Sequence, residues 1–567
     1  MDLSILHIIP QTFRRRAYFV TLTIFLRALL NFIGLALMLP VLMLILDTES
    51  IHTNRYLIAV YDFFGFTSDS AFVITICIAV VVIISGKCLL SLALYKVERN
   101  YIYDLYSYMS RRLYIEYRNR GLLFIKNSNS SILARNVNVV CLIFVTGILK
   151  PIASIISEVM LFGLLFITLS LYNPLVALLI LAIFVPAIWL YYGLVRNRLN
   201  RYGDLENRAH REMARTVIET FRGYSDIEIN NAFPSMLDNF QKVMDEVVET
   251  RAKESTINTL PQMFTEIGLS VGMALLVVVN LNMEGDHLKI LFGIFAVAAL
   301  RLMPSIRNIM TGWTAIKYNK YTIEILREAD LDHVDQHIEQ TNNRLTFNYT
   351  IDICNLSFRF EESDVDVIKD FTLSICKGER IGIRGASGTG KTTLFNLLLG
   401  FYPPTSGEIR IDGTPLTLVN RRLWQNSIGY VSQNVFITDS TFLANIALGY
   451  NPETVDRERV MRAVEAAKLK EFIDSLPEGL DTKIGECGNR LSGGQRQRIG
   501  IARALYKQAD ILFFDEATSA LDNKTEEEVN RSIEALSKEN RELTIIVIAH
   551  RKSSLEYCDR IITIGEE

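Results

Sequence analysis

The chain has 567 residues, half of them apolar, and its 59 basic residues nearly balance its 62 acidic ones. A chain of this length is expected to form more than one domain. The balanced charge gives no indication of a nucleic-acid partner, because nucleic-acid-binding domains carry a basic excess. Its seven cysteines include no C-x-x-C pair. We interpret them as free thiols, without a disulfide framework or a zinc site.

The first part of the chain contains long apolar segments. A helix of about 20 mostly apolar residues can cross the hydrocarbon core of a bilayer, and we predict six such helices. Three arginines in "QTFRRRAYFV" precede the first segment, which is too long for the apolar core of a cleavable signal peptide. The predicted spans lie near residues 18–46, 71–95, 142–171, 174–195, 258–281 and 288–315.

The connections between the predicted spans alternate in length. Residues 96–141 and 196–257 are long, polar and rich in Lys and Arg, whereas the loop "NMEGDH" at 282–287 is short. The positive-inside rule places the long connections in the cytoplasm, and six spans then place both termini there. At about 1.5 Å per residue, each long connection can extend the membrane helices by roughly 40 Å. We expect the tips, near 126–135 and 220–233, to contact the second domain.

A glycine-rich loop opens the second part of the chain. The stretch "IGIRGASGTGKTT" at 381–393 has the order strand, glycine-rich turn and helix, which a phosphate-binding loop requires. Its backbone N–H groups and the helix N-terminus favour phosphate. We expect Lys391 to contact the β- and γ-phosphates and the Thr392 hydroxyl to ligate Mg²⁺; the alternative is a chance turn. The predicted ATP-binding residues of this loop are Gly385, Ala386, Ser387, Gly388, Thr389, Gly390, Lys391, Thr392 and Thr393.

Two carboxylates follow a later apolar strand, in "ADILFFDEATSALD" at 509–522. Four consecutive apolar residues, 511–514, suit a strand that is buried on both faces of a parallel sheet. We predict that Asp515 holds the Mg²⁺ shell and that Glu516 orients or deprotonates the attacking water. Phosphoryl transfer depends mostly on positioning and charge neutralisation, so one well-placed carboxylate suffices. The predicted cofactors are therefore ATP and Mg²⁺.

Between these two motifs lies "LSGGQRQR" at 491–498, and here the chain resembles the ATP-binding cassette superfamily over about residues 346–567. The resemblance implies that this motif contacts the γ-phosphate of an ATP held by the phosphate loop of a second copy. A homodimer with two-fold symmetry then needs only one kind of chain. The motif residues carried over as ATP-binding are Ser492, Gly493, Gly494 and Gln495.

The same resemblance assigns three further positions. Phe360 in "LSFRF" matches the aromatic residue that stacks on adenine, where most members have Tyr. Gln433 in "GYVSQN" matches the residue that ligates Mg²⁺ and senses the membrane domain. His550 in "VIAHR" matches a catalytic residue that contacts the γ-phosphate. Every catalytic position is filled, so the resemblance implies an active ATPase.

The superfamily also implies a fold for the whole chain. We expect an all-α transmembrane domain of six helices with long intracellular extensions, as in type I exporters. An α/β nucleotide-binding domain of the P-loop type, with a helical subdomain, is expected to follow it. The predicted boundaries are a cytoplasmic segment at 1–17, the transmembrane domain at 18–319, a linker at 320–345 and the nucleotide-binding domain at 346–567.

Ionisable side chains inside the predicted spans are costly and are therefore functional candidates. Five of the seven are basic, which suits an anionic cargo. The alternatives are ion pairs between helices and side chains that reach the head groups, and we favour these alternatives for Arg27 and Lys150. The seven residues are Arg27, Lys87, Lys150, Glu158, Glu266, Arg301 and Arg307.

"RLMPSIRNI" at 301–309, "KYNKYTIEIL" at 317–326 and Lys87 resemble the bacterial flippases of lipid-linked oligosaccharides used in protein N-glycosylation. This resemblance implies a multi-pass protein of the bacterial inner membrane that binds a lipid-linked glycan through its pyrophosphate. Gln262 stands where that family has a further basic residue. The departure counts against this cargo or implies a different head group. The candidate residues of the substrate-binding cavity are Lys87, Arg301 and Arg307.

Three other functions are weighed against this one. The nearest is a multidrug, lipid or peptide exporter on the same scaffold. A soluble cassette ATPase of DNA repair or translation does not fit six predicted spans. A membrane regulator or channel that uses ATP only for gating does not need the complete catalytic set.

Overall fold

The computed structural model divides the chain into two compact units, Met1–Gln336 and His337–Glu567. The described part of the first unit is helical, and all the strands described lie in the second. Structure is described for residues 8–37, 55–66, 68–172, 174–280, 287–329, 343–361, 363–386, 388–517, 522–549 and 555–564.

Long helices make up the first unit. The longest, α3, has 51 residues and is about 77 Å long at 1.5 Å per residue, far more than the roughly 30 Å of a hydrocarbon core. Two π-helical turns, Asn136–Val140 and Val145–Leu149, flank the short helix α6. The helices are α1 Gln11–Ala36, α2 Arg55–Phe63, α3 Asp69–Asn119, α4 Gly121–Asn127, α5 Ser130–Arg135, α6 Cys141–Phe144, α7 Lys150–Tyr172, α8 Pro174–Arg222, α9 Tyr224–Ile229, α10 Phe233–Asn280, α11 His287–Tyr318 and α12 Tyr321–Arg327.

Within the described residues, three helical segments are long and apolar enough to cross a membrane, and a fourth is added if one bent pair counts as a single span. They correspond in order to the first four predicted spans. The predicted turn between the third and fourth spans separates α7 from α8, which begins at Pro174, a residue suited to the first helical position. The segments are Gln11–Gly34, Asp69–Asn119, Ser130–Leu171 and the pair Ile180–Val195 with Asn197–Arg222.

The fifth and sixth predicted spans coincide with helices α10 and α11. Residues 281–286 between them lie outside the described part, as do the side chains of 287–301. Helix α8 continues well beyond the fourth predicted span, and α10 begins well before the fifth. The long connection at 196–257 is therefore continuous with a membrane helix at each of its ends. This is the layout expected from the length of that connection.

Two sheets build the second unit. One is antiparallel with the strand order β2-β1-β4-β5, and the other is parallel with the order β6-β7-β8-β3-β9. The strands are β1 Thr350–Phe358, β2 Ile368–Cys376, β3 Arg380–Arg384, β4 Ser406–Ile411, β5 Thr414–Pro415, β6 Ile428–Val431, β7 Ile511–Asp515, β8 Thr544–Ile548 and β9 Arg560–Thr563.

The parallel sheet places the predicted motifs together at the carboxyl ends of its strands. All five residues of β7 are buried, as expected for a strand covered on both faces. In open α/β sheets, ligands bind beyond the carboxyl ends of the strands, which is where the glycine-rich loop follows β3 and where Asp515 ends β7 with Glu516 directly after it. The helices of this unit are α13 Lys391–Leu398, α14 Arg421–Asn426, α15 Phe442–Ile446, α16 Arg457–Ala466, α17 Lys470–Asp474, α18 Gly493–Tyr506 and α19 Asn523–Glu539.

Candidate functional site

The loop between β3 and α13 wraps around one lysine ammonium. Lys391 is almost fully buried, and its Nζ donates hydrogen bonds to the carbonyl oxygens of Gly385 at 2.8 Å and Ala386 at 2.6 Å. Gly390 precedes the helix with a φ of 90°, a backbone conformation that glycine adopts without steric cost. A cation held at a helix N-terminus is an arrangement suited to phosphate.

The threonine side chains of this loop and of the following helix turn differ in their exposure and hydrogen bonding. The Thr389 hydroxyl donates to the Ala386 carbonyl at 2.9 Å, which closes the turn. Thr392, the predicted Mg²⁺ ligand, is exposed in the first turn of α13, and Thr393 beside it is half-buried. Ser387 lies outside the described residues.

The structure brings Gln433 and Glu516 together. The Gln433 side chain follows β6, and its Nε2 donates a hydrogen bond of 2.7 Å to Glu516 Oε2. Glu516 has a φ of 49°, and its backbone N–H donates to the Ile548 carbonyl at 3.0 Å. This backbone contact turns the chain just after β7 and holds the carboxylate at the sheet edge.

The second carboxylate, Asp515, is 5% exposed at the end of β7. Burial first, and the negative charge of Asp515 second, raise the pKa of the neighbouring Tyr430 to about 12. The phenol is therefore neutral at physiological pH. The Asp515 carboxylate, the Thr392 hydroxyl and the Gln433 amide supply the oxygen atoms that Mg²⁺ prefers, so these three residues fit the metal.

Phe360 belongs to a small aromatic cluster. Its ring lies 5.0 Å from Phe358 and 6.1 Å from Tyr402, nearly perpendicular to both, while Phe358 and Tyr402 are parallel at 5.4 Å. Edge contacts of this kind fix ring orientation. Sequence reasoning predicted Phe360 but missed Tyr402, whose only signal is an aromatic position shortly after the phosphate-loop helix.

The "LSGGQ" motif forms the start of a 14-residue helix, α18. The Ser492 hydroxyl accepts a hydrogen bond from the Gln495 backbone N–H at 3.2 Å, and the Gln495 side chain accepts one from the Ser492 N–H at 2.8 Å. This reciprocal pair is a capping box. It leaves Ser492 exposed beside Gly493 and Gly494 of the first turn. His550, the remaining predicted position, lies outside the described residues.

Two of the ionisable residues in the predicted spans connect helices. Arg27 of α1 forms a 3.0 Å ion pair with Glu98 of α3, and both side chains are largely buried. Glu158 of α7 accepts hydrogen bonds from Ser305 at 2.7 Å and Asn308 at 2.9 Å, both on α11. The favoured interpretation of Arg27 as an ion-pair partner therefore agrees with the structure.

The candidate cavity residues have different settings. The Lys87 side chain lies against α1, with Nζ 3.3 Å from the position that a Cβ on Gly34 would take. Arg307 is exposed on α11. The Arg301 side chain lies outside the described part.

Comparison with known proteins decides the family. Residues 368–519 match the family model described as ABC transporter. A bacterial Atm1-family ABC exporter with ATP bound has the same fold, with a TM-score of 0.78 at 20% identity over 97% of this chain and 93% of that one. Residues 368–519 therefore belong to the ABC transporter family, and the chain has the fold of an ABC exporter.

The chain also has relatives named for a lipid. It is 33% identical over 395 residues to a protein of Burkholderia pseudomallei (strain 1710b) named ATP-dependent lipid A-core flippase, a match that covers 68% of this chain and 64% of that protein. A protein of the same name from Cupriavidus metallidurans (strain ATCC 43123 / DSM 2839 / NBRC 102507 / CH34) is 32% identical over 398 residues, or 68% and 65% of the two chains. The chain thus spans less than two thirds of the length of these relatives.

Replacing Phe360 with Ala is expected to weaken ATP binding by the chain. Stacking of a base on an aromatic ring contributes about 1–3 kcal/mol, so the Kd for ATP should rise about tenfold, measured by titration with a fluorescent nucleotide. Phe360→Tyr should bind as the parent does. The control is Phe436→Ala, because that ring is 67% exposed elsewhere in the unit. An unchanged Kd for Phe360→Ala would contradict the stacking role.

Proposed function

We propose that the chain is an ATP-driven exporter or flippase that works as a homodimer and moves an anionic lipid. The observation that carries the ATPase part is the 2.7 Å hydrogen bond between Gln433 and Glu516. It fixes a carboxylate at the edge of the sheet that also carries the Lys391 loop. This is the geometry needed to place a water molecule opposite a γ-phosphate.

In the proposed reaction, Lys391 exchanges its two carbonyl partners for phosphate oxygens. Glu516 accepts a proton from the attacking water, and Gln433 keeps the carboxylate in position. Asp515, Thr392 and Gln433 would hold Mg²⁺, which would neutralise part of the phosphate charge when bound. His550 is proposed to contact the γ-phosphate, and Phe360 to stack on adenine.

The second copy completes each site in this proposal. The exposed Ser492 caps a helix of 14 residues that begins with the half-buried Gly493 and Gly494, and such a helix N-terminus favours an anion. We propose that they contact ATP held on the partner. Joining and separation of the two nucleotide-binding units would then change the side of the membrane to which the membrane units open. In this proposal the membrane units lie in the bacterial inner membrane and the nucleotide-binding units in the cytoplasm.

The cargo proposed is a polyprenyl-pyrophosphate-linked oligosaccharide or a similar anionic lipid. Basic residues exceed acidic ones in the predicted spans, and Lys87, Arg301 and Arg307 are proposed to bind the phosphate groups. A second candidate is a lipid A-core, because the relatives at 32–33% identity are named for that lipid. Both cargoes are glycolipids, so the proposal at the coarser level is a lipid flippase.

Reconstitution into liposomes tests the function. ATPase stimulation and ATP-dependent translocation should be compared for a polyprenyl-pyrophosphate glycan, a lipid A-core and a hydrophobic drug. Translocation of either glycolipid, without a response to the drug, is expected. A response to the drug alone would replace this proposal by the multidrug alternative.

Replacing Arg301 with Ala is expected to impair translocation of the active glycolipid several-fold while basal ATPase activity stays close to that of the parent. The reason is that the phosphate groups lose a positive charge in the cavity. The matched control is Arg99→Ala, which removes an exposed arginine of α3 that is hydrogen-bonded to its neighbour Asn100. Normal translocation by Arg301→Ala would exclude the cavity role of this residue.

A further inference from the structure

Helix α10 carries a polar stripe that extends into the first half of the region predicted to cross the membrane. Five exposed residues occur three or four positions apart, so they share one side of the helix. The stripe extends over about 22 Å at 1.5 Å per residue. Its members are Ser255, Thr259, Gln262, Glu266 and Ser270.

A second exposed stripe runs beside the first and is wholly apolar. It suits contact with lipid tails, whereas a carboxylate such as Glu266 is costly in hydrocarbon. The two stripes therefore face different surroundings: the apolar one faces lipid, and the polar one faces water or a polar ligand. The apolar stripe consists of Met263, Ile267, Val271 and Val278.

Three side-chain donors of the polar stripe form hydrogen bonds within helix α10 itself. Gln262 Nε2 donates to Glu266 Oε1 at 2.9 Å. The Thr259 hydroxyl donates to the Thr256 carbonyl at 2.7 Å, and the Ser270 hydroxyl donates to the Glu266 carbonyl at 3.0 Å. Because these side-chain donors turn towards the helix itself, the stripe presents mainly acceptor atoms outwards: carboxylate oxygen, amide oxygen and hydroxyl lone pairs.

We propose that this polar stripe, with Glu266 at its centre, selects cargo by accepting hydrogen bonds from the hydroxyl groups of a sugar head group. The inference rests on the proposed function and adds a part to it. Basic residues attract the phosphate end of an anionic lipid but do not distinguish a glycolipid from a bare lipid phosphate. A row of acceptors makes that distinction, because a carboxylate forms strong, charge-assisted hydrogen bonds with hydroxyl donors.

The test uses the full-length chain in liposomes and two lipids that differ only in the sugar. ATPase activity is titrated with a polyprenyl pyrophosphate and with the same lipid bearing one hexose. Glu266→Gln is expected to raise the half-maximal concentration of the hexose-bearing lipid about tenfold, because the amide offers one acceptor oxygen instead of two and its hydrogen bond with a hydroxyl is no longer charge-assisted. The response to the bare lipid should stay within twofold.

The matched control is Glu249→Gln, the same substitution on the same helix outside the polar stripe, at a carboxylate paired with Lys253. An equal shift for both lipids, no shift, or a change of oligomeric state in Glu266→Gln would overturn the inference. A shift seen instead when phosphatidylethanolamine replaces phosphatidylcholine would assign the stripe to an amine and also overturn it. If the parent responds to neither lipid nor to lipid A-core, the proposed function itself fails.

Discussion

Replacing Glu516 with Gln is expected to reduce ATP turnover by about 10²–10⁴-fold, the usual contribution of a positioned general base. The amide has the shape of the carboxylate and can still accept the 2.7 Å hydrogen bond from Gln433 Nε2. It cannot accept the proton of the attacking water. Phosphate release at saturating ATP measures the loss, and ATP binding should remain within about threefold of the parent.

The same variant should also accumulate as an ATP-bound dimer, because binding joins the two copies and hydrolysis no longer separates them. Size-exclusion chromatography of the purified variant, with and without ATP, detects this dimer. Glu478→Gln is the control, since that side chain is exposed on a surface loop, and its turnover should be unchanged. Phosphate release by Glu516→Gln at the parent's rate would remove Glu516 from the catalytic role.

The position of Glu516 shows what the sequence could and could not predict. Four apolar residues followed by two carboxylates predicted a buried strand with acids at its end, and the structure has that strand as Ile511–Asp515. The left-handed backbone of Glu516 was not predictable, because it depends on a hydrogen bond to Ile548 of a neighbouring strand. The contact with Gln433 likewise depends on the order of strands in the sheet.

The membrane unit gives the same lesson for charged residues. Apolar length predicted the helices, and cost in lipid identified Arg27 and Glu158 as residues that need partners. The partners themselves were not predictable: Glu98, on another helix, binds Arg27, and Ser305, 147 residues along the chain, binds Glu158. Pairing across helices depends on how the helices pack, which periodicity within one helix does not record.

Glu266 differs from these buried residues in a way that connects both halves of the proposal. Arg27 and Glu158 are satisfied between helices and thus explain stability, whereas Glu266 is exposed within a predicted span. A charged group that the fold does not cover needs a water-filled space, and the dimer that we propose, which opens alternately to the two sides of the membrane, would provide one. In this proposal the nucleotide site and the polar stripe are two requirements of the same transport cycle.

Replacing Gly203 with Ala is expected to destabilise the first unit by about 1–3 kcal/mol, the typical cost of overpacking. Gly203 is buried on α8, and a Cβ there would lie 1.8 Å from the backbone carbonyl oxygen of Tyr318, the last residue of α11. Backbone atoms cannot move aside as a flexible side chain can, so the two helices must separate. Thermal unfolding in detergent should show a Tm lower by several degrees.

Gly193→Ala is the matched control, because Gly193 lies on the same helix and a Cβ there would meet nothing within 4 Å. Ala is favoured over Gly inside a helix by about 0.5–1 kcal/mol, so this variant should keep or raise the Tm. Tm changes of opposite sign in the two variants distinguish an effect of helix propensity from an effect of the close contact between α8 and α11. Equal Tm values for the two variants would show that the backbones are not in close contact at Gly203, and the end of α11 would then be free to move relative to α8.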